Sequence, residues 1–316
     1  MNIAVLDSST VSGDGVTLDA LSACGKVSLY NRLSEKEIIE SCKNCEVIVC
    51  NKSKITENII KNCPNLRFIT LLATGYNNID IAAAGRHGVV VSNSPNYSTD
   101  SVAQLVFAMI LQFANSLCKY DTSVKHGDWA SCKDFCYFPF PLFELRSKTL
   151  GIIGFGAIGR RVAEIGKAFG MNVIASSRSK KQCDGVEFAE KNEVFRRADF
   201  LTLHCPLNSD TENLVNKETL ALMKPTAYLI NTSRGAVVNE QDLLEALKLG
   251  TISGAGIDVL ETEPMKKDCP YLDAPNIIIT PHIAWATVEA RSRLIETVAE
   301  NIKCFIAGNP QNVVNG

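Results

Sequence analysis

The chain has 316 residues, more than one compact core usually holds, so two domains are expected. It is 46% apolar and 21% charged with a formal net charge of −2, the balance of an ordinary globular protein. So neutral a surface gives nucleic acid or anionic membrane no electrostatic hold, and neither is expected as a partner.

The first residues, MNIAVLDSST, carry no basic n-region and too short an apolar run for a signal peptide. No segment approaches the ~18 apolar residues that span a bilayer, so a cytoplasmic location is expected. Short β-branched runs follow, IAVLD, EVIVC, RFITLL and GVVVS, alternating with helix-like segments. One of these, SEKEIIESC, opens with Ser34 and Glu37 in capping-box spacing. This βαβ rhythm predicts a parallel sheet covered by helices. It ends at the turn-rich SNSPNYSTD, after which a long apolar helix is predicted over 100–118. The stretch KHGDWASCKDFCYFPFPLFELRSK shows no period and reads as an extended connection.

A second βαβ series starts at Thr149, with strands TLGIIG, NVIAS, DFLTLH, AYLINT, ISGAGIDV and NIIIT. A last helix over 287–307 follows when those strands have run out, free to return to the first domain. The expected organisation is a first part at 1–96, an inserted domain at 97–285, and a returning helix at 286–316, with a cleft between two doubly wound α/β domains.

In TLGIIGFGAIGRRVA, Gly154, Gly156 and Gly159 stand between an apolar strand and a helix. That context suits a dinucleotide: a tight turn, then close backbone approach to a pyrophosphate at the helix N-terminus. Such folds usually end the next strand in an acid that holds the adenosine ribose. Here the strand ends in Ser176-Ser177-Arg178, with Lys180 and Lys181 beyond. Losing the acid removes repulsion of a 2′-phosphate, and the guanidinium offers planar donors to it. NADP(H) is favoured on this electrostatics, and NAD(H) stays possible.

Three later strand ends carry Arg234 in INTSRGAVVN, Asp258 and Glu263 in GIDVLETEP, and His282 in ITPHIAW. Singly, each has an ordinary reading as a turn or loop residue. Together, behind a dinucleotide loop, they suit interconversion of 2-oxo and 2-hydroxy acids. Arginine binds the carboxylate and polarises the ketone, histidine donates a proton to the developing alkoxide, and glutamate holds the other ring nitrogen. No second histidine lies near His282, and no metal site is expected. The twelve cysteines are scattered, which favours reduced thiols; a redox role for Cys42 and Cys45 is the alternative.

TLGIIGFGAIGRRVA, LHCPLNSDTENLVN, LINTSRGAVVNEQDLLEAL, GAGIDVLETEP and TPHIAW, in this order, resemble the D-isomer-specific 2-hydroxyacid dehydrogenases over nearly the whole chain. LLATGYNNID, NYSTDSVAQL and the pair His282/Trp285 resemble the glycerate dehydrogenase, or hydroxypyruvate reductase, branch. The resemblance implies a Rossmann cofactor domain inserted into a flavodoxin-like substrate domain, and a homodimer with the long helix after Pro95 as the candidate contact. It makes Arg234, Glu263 and His282 the catalytic set. Ala73, Thr74 and Gly75 would offer backbone N–H groups to the substrate carboxylate, and Trp285 would limit side-chain size.

Asp258 would contact the nicotinamide carboxamide, and Arg234 and His282 would also border the cofactor. Thr99, Val102, Phe155, Ala157, Ile158, Ser179, His204, Cys205, Pro206, Thr211, Thr232, Ser233 and Ala284 would line the rest of the dinucleotide. Lys52 stands where phosphoglycerate dehydrogenases of the family carry an arginine, and would meet a hydroxyl or phosphate at the far end of a substrate. Hydroxypyruvate or glyoxylate is the expected substrate. The alternatives are 3-phosphohydroxypyruvate (disfavoured because no regulatory extension follows residue 316), pyruvate, and branched-chain or aromatic 2-oxo acids. A dinucleotide-sensing corepressor is the reading from another class.

Overall fold

A computed structural model describes residues 1–178 and 182–316. The chain divides into two compact units, Met1–Ser98 with Trp285–Gly316, and Thr99–Ala284. The crossings fall at 98/99 and 284/285, against 96/97 and 285/286 from the sequence, so Trp285 goes with the first unit.

The first unit is a parallel sheet of β1 (Asn2–Val5), β2 (Lys26–Leu29), β3 (Val47–Cys50), β4 (Phe68–Leu71) and β5 (Val90–Ser92), in the order β2-β1-β3-β4-β5. This is the flavodoxin-like winding. Alternate residues serve opposite faces. Ala4, Ile48, Cys50, Ile69 and Leu71 pack with helices Glu35–Cys42, Glu57–Asn62 and Ile81–Arg86. Ile3, Val5, Val47, Val49 and Phe68 pack with Leu294, Ile295, Val298 and Ile302 of the helix Val288–Ile306. Each such side chain contributes about 1.5–3 kcal/mol on burial, which explains why the chain's end comes back to this sheet.

Ser34 and Glu37 form the reciprocal capping box. The Ser34 hydroxyl and backbone N–H both donate to the Glu37 carboxylate, holding its pKa below the usual range.

The second unit holds β6 (Thr149–Ile153), β7 (Asn172–Ser176), β8 (Val186–Phe188), β9 (Phe200–Leu203), β10 (Tyr228–Asn231), β11 (Gly254–Ile257) and β12 (Ile277–Ile279). Their order is β12-β11-β10-β9-β6-β7-β8, all parallel, the doubly wound Rossmann arrangement with one added strand. The winding reverses between β6 and β9.

Two strands went unread in the sequence, β2 and β8. Both are sheet edges with partly exposed residues, so neither makes the continuous apolar run of a central strand. The long helix is Thr99–Asn115, shorter than expected. Ser116 adopts a left-handed φ of 48°, and a second helix, Leu117–Lys125, leaves at 55°; it takes the end of the expected helix and residues 119–124, where the sequence predicts no element. No single helix among the described residues is long and apolar enough to cross a membrane. Helix Thr99–Asn115 turns Ala103, Val106, Phe107, Met109 and Ile110 into its own unit's core.

Candidate active site

In the second unit, β6 delivers the chain to Gly154, whose φ is 95°. A Cβ there would lie 2.6 Å from the backbone carbonyl carbon of His204, so only glycine lets β6 and β9 end side by side. Gly156 has open space around its α-carbon and caps the helix Ala157–Ala168 without a side-chain hydrogen bond. The first N–H groups of that helix and its positive end thus face the open space at Gly156, an arrangement that favours an anion such as a phosphate. Gly159 and the Phe155 ring are buried, the ring edge-on to Phe188 at 5.0 Å, so Phe155 has only its main chain to offer a ligand. Ala157 is exposed and Ile158 half-buried.

β7 ends at Ser176; Ser177 is half-buried and Arg178 exposed. Ser179, Lys180 and Lys181 lie outside the described residues.

His204 and Thr232 follow β9 and β10 at paired positions, since Leu203 pairs with Asn231. Both carry a buried polar atom without a hydrogen-bond partner among the described residues, His204 Nε2 and Thr232 Oγ1. His204 as a residue keeps some exposure, but the burial of its ring pushes its pKa down to about 3. It is a neutral imidazole in any ordinary buffer. Two orphaned hydrogen-bonding atoms, one past β9, which ends beside Gly154, and one past its neighbour β10, fit a ligand rich in hydroxyls and phosphate oxygens, as a dinucleotide is. Cys205 is buried, and burial raises its thiol pKa, so it is no activated nucleophile. Pro206 is exposed, and Thr211 closes its own turn by donating to the Pro206 carbonyl at 2.6 Å.

Three neighbouring strand ends bring the reactive groups to one edge of this sheet. Arg234 lies three residues past β10 and His282 three past β12, with β11 between them. Glu263, in the loop after β11, meets His282: Oε2 lies 2.7 Å from the ring Nδ1, while Oε1 accepts the Leu260 N–H at 3.1 Å. A carboxylate held at one oxygen and aimed at a histidine with the other fixes the ring's orientation and tautomer and leaves Nε2 as the reactive nitrogen.

The His282 backbone has a left-handed φ of 56° and is pinned by its N–H to the Asp258 carbonyl at 2.8 Å. The Asp258 carboxylate is 1% exposed and takes Thr280 Oγ1 at 2.6 Å and the N–H groups of Ile283 and Ala284 at 2.9 Å each. Ser101 Oγ, from helix Thr99–Asn115, donates to the Ala284 carbonyl at 2.5 Å. Val102, one residue on, is buried.

The Arg234 turn depends on two residues that sequence reading passed over. Asn231, buried at the end of β10, accepts from the Ser233 N–H and hydroxyl and donates to the Arg234 carbonyl at 2.9 Å. Arg234 Nη1 donates to the Ser233 carbonyl at 2.7 Å. A Cβ on Gly235 would lie 1.9 Å from the Leu260 backbone carbon, so its absence lets the Arg234 turn seat against the loop that carries Glu263. Both residues stand inside LINTSRGAVVN; their signal was the Asn before, and the Gly after, a chemically obvious arginine. Gly235→Ala is expected to lower kcat about a hundredfold by displacing that turn. Steady-state kinetics beside a thermal melt would check it, and an unchanged kcat would refute it.

In the first unit, the turn at 73–75 is held by its neighbours. Thr74 Oγ1 donates to the Ser94 carbonyl at 2.8 Å, Asn93 Nδ2 to the Thr74 carbonyl at 2.7 Å, and the Ser94 N–H to the Ala73 carbonyl at 2.9 Å. Asn93 and Ser94 are thus missed supports of the expected carboxylate turn. Lys52 is exposed, and Trp285 packs edge-on to Tyr97 with ring centroids 6.4 Å apart. No group of three or more His, Cys, Asp or Glu among the described residues is placed to hold a metal ion. All twelve cysteines are unpaired by disulfides.

Residues 107–284 match the sequence profile of the "D-isomer specific 2-hydroxyacid dehydrogenase, NAD binding domain". Over the full length of both proteins, the chain is 39% identical to a hydroxypyruvate reductase of Blautia hydrogenotrophica. It is 41% identical to a glycerate dehydrogenase of Methylorubrum extorquens, over 88% of each chain. Among solved structures, an acyclic imino acid reductase in complex with NADPH and D-Arg superposes with a TM-score of 0.89 at 33% identity, covering 99% of this chain and 100% of the other.

Proposed function

The chain belongs to the D-isomer specific 2-hydroxyacid dehydrogenase family, and on that premise we propose that it reduces hydroxypyruvate or glyoxylate to D-glycerate or glycolate, with NADPH favoured over NADH. The observation that carries the chemistry is the Glu263–His282 hydrogen bond beside the Arg234 turn.

In this reading the Arg234 guanidinium and the backbone N–H groups at Ala73, Thr74 and Gly75 bind the substrate carboxylate. Lys52 meets the oxygen at the substrate's far end, and Trp285 limits its bulk. A nicotinamide, when bound, would supply the hydride equivalent that the reduction needs. His282 gives the proton on Nε2 to the C2 oxygen, which becomes the hydroxyl, and the neutral ring then recovers a proton from water. Glu263 keeps the ring aimed throughout.

The residues suited to hold the dinucleotide are Gly154, Gly156 and Gly159 with the helix that follows, then His204 to Pro206 and Thr232 to Arg234. Thr99, Val102, Thr211, Asp258 and Ala284 border them. Ser177 and Arg178 are the residues suited to a 2′-phosphate. Hydroxypyruvate and glyoxylate, supplied separately with NADPH, should each oxidise the cofactor at rates well above those for branched-chain 2-oxo acids. The reverse order would overturn the substrate assignment.

We further propose a homodimer, with its contact just after the helix expected in the sequence. The apolar side chains of helix Thr99–Asn115 named above are spent inside its own unit, whereas Leu117, Trp129, Phe135, Phe138 and Leu142 just after it are 50–89% exposed. So large an unpartnered apolar run fits a second copy of the chain. Phe135→Ser with Phe138→Ser should shift the sedimenting species from dimer to monomer. A wild-type protein that already sediments as a monomer would overturn the proposal.

A further inference from the structure

In the first unit, the loop after β3 is gripped from both sides. The Asp7 carboxylate, 6% exposed, fills a nest of three consecutive backbone donors, with its Oδ2 accepting from Asn51 N at 2.8 Å and from Lys52 N and Ser53 N at 3.0 Å each. Its Oδ1 takes the Ser53 hydroxyl at 2.9 Å. Asn78 Nδ2 donates to the Asn51 and Ser53 carbonyls at 3.2 and 2.8 Å. The Asn51 amide donates to Thr10 Oγ1 at 2.9 Å, and that hydroxyl donates to the Asp7 carbonyl at 2.7 Å.

Four donors on one carboxylate hold the first three residues of the 51–56 loop, which has no helix or strand in it. Amid this, the Lys52 side chain is exposed, and its ammonium has no hydrogen-bond or ion-pair partner among the described residues. The backbone is fixed and the cation is left available.

We propose that Asp7 is a positioning residue for substrate selection, closing the N–H nest of Asn51–Ser53 and so fixing the backbone from which Lys52 meets an oxygen at the far end of the 2-oxo acid. The inference rests on the assignment of Lys52 to the substrate made above. Replacing the carboxylate by an amide removes the charge that three backbone N–H groups share, and at best leaves one neutral oxygen in the nest with the amide NH2 turned to the Ser53 hydroxyl, so the grip on the loop weakens. Asp7 touches no substrate atom, so the loss should fall on KM for substrates bearing that oxygen and should spare the chemical step.

The test compares hydroxypyruvate with pyruvate, which lacks the C3 hydroxyl, in Asp7→Asn, Lys52→Met and the double variant. Asp7→Asn should raise KM for hydroxypyruvate roughly tenfold, while kcat and the KM for pyruvate stay within about twofold. Lys52→Met should do the same, and the double variant should be no worse than either alone, because both remove one interaction.

If Lys52→Met raises KM and a folded Asp7→Asn does not, the Asp7 role falls and the Lys52 assignment stands. If neither changes KM, the Lys52 assignment fails and the Asp7 role with it. A loss of kcat on both substrates, or additive effects, would make Asp7 a general structural residue and overturn the proposal. Should Asp7→Asn not fold, Asn78→Ser, which frees the loop's carbonyl side, should show the same KM signature in weaker form; its absence would also overturn the proposal.

Discussion

His282→Ala is expected to lower kcat/KM for hydroxypyruvate about a thousandfold, within the range a positioned acid or base supplies. The loss should sit in kcat, because the substrate carboxylate is assigned to Arg234 and to the backbone at 73–75, and the dinucleotide to the glycine loop. NADPH affinity, followed by quenching of protein fluorescence, should change little.

Glu263→Gln removes the charge and keeps one of the two accepted hydrogen bonds. Its one oxygen can still accept from Nδ1, but the Leu260 N–H then faces the amide NH2 and the negative charge that supports a proton-donating ring is gone, so a fall of about a hundredfold is expected. Glu263→Ala should be as damaging as losing the histidine, since the Leu260 N–H and the imidazole then lose their common anchor. A His282→Ala protein that keeps wild-type turnover would sink the assignment of the proton donor. Lost turnover together with lost NADPH binding would instead mark His282 as a structural prop of the cofactor loop.

The other large effect concerns the cofactor. Wild-type protein should prefer NADPH, and Ser177→Asp combined with Arg178→Ala should reverse that preference by about a hundredfold or more in the ratio of kcat/KM values. Two changes act in one direction. An introduced carboxylate repels a 2′-phosphate and accepts from ribose hydroxyls, and the lost guanidinium removes a charge-assisted partner whose hydrogen bonds are each worth about 1.5–3 kcal/mol. Salt gives an independent check, because an exposed Arg178 acting on phosphate should lose its advantage as ionic strength rises. Equal wild-type rates with NADH, unmoved by the double substitution, would reduce Arg178 to a solvated side chain.

Much of this protein is legible without coordinates because the signals are local. Gly154, Gly156 and Gly159 sit between a strand and a helix, and the order of short β-branched runs and helices fixes two parallel sheets. Arg234, Glu263 and His282 announce themselves by chemistry at strand ends. Period and residue type suffice there, since a buried parallel strand needs apolar residues on both faces and a phosphate turn needs glycine.

Edge strands β2 and β8 escaped because half-exposed backbone needs no such pattern. The break at Ser116 escaped because neither glycine nor proline marks it. What only the tertiary structure decided is which polar residues support which others. Asn231 and Gly235 seat the Arg234 turn, Asp258 anchors the His282 segment, and Asp7 reaches 44 to 46 positions along the chain to grip the Lys52 loop. A hydrogen bond between residues that far apart leaves no periodicity in the sequence. It exists only once parallel strands have brought their ends together, and for that reason the groups proposed as catalytic stand out in the sequence while a distant support such as Asp7 does not.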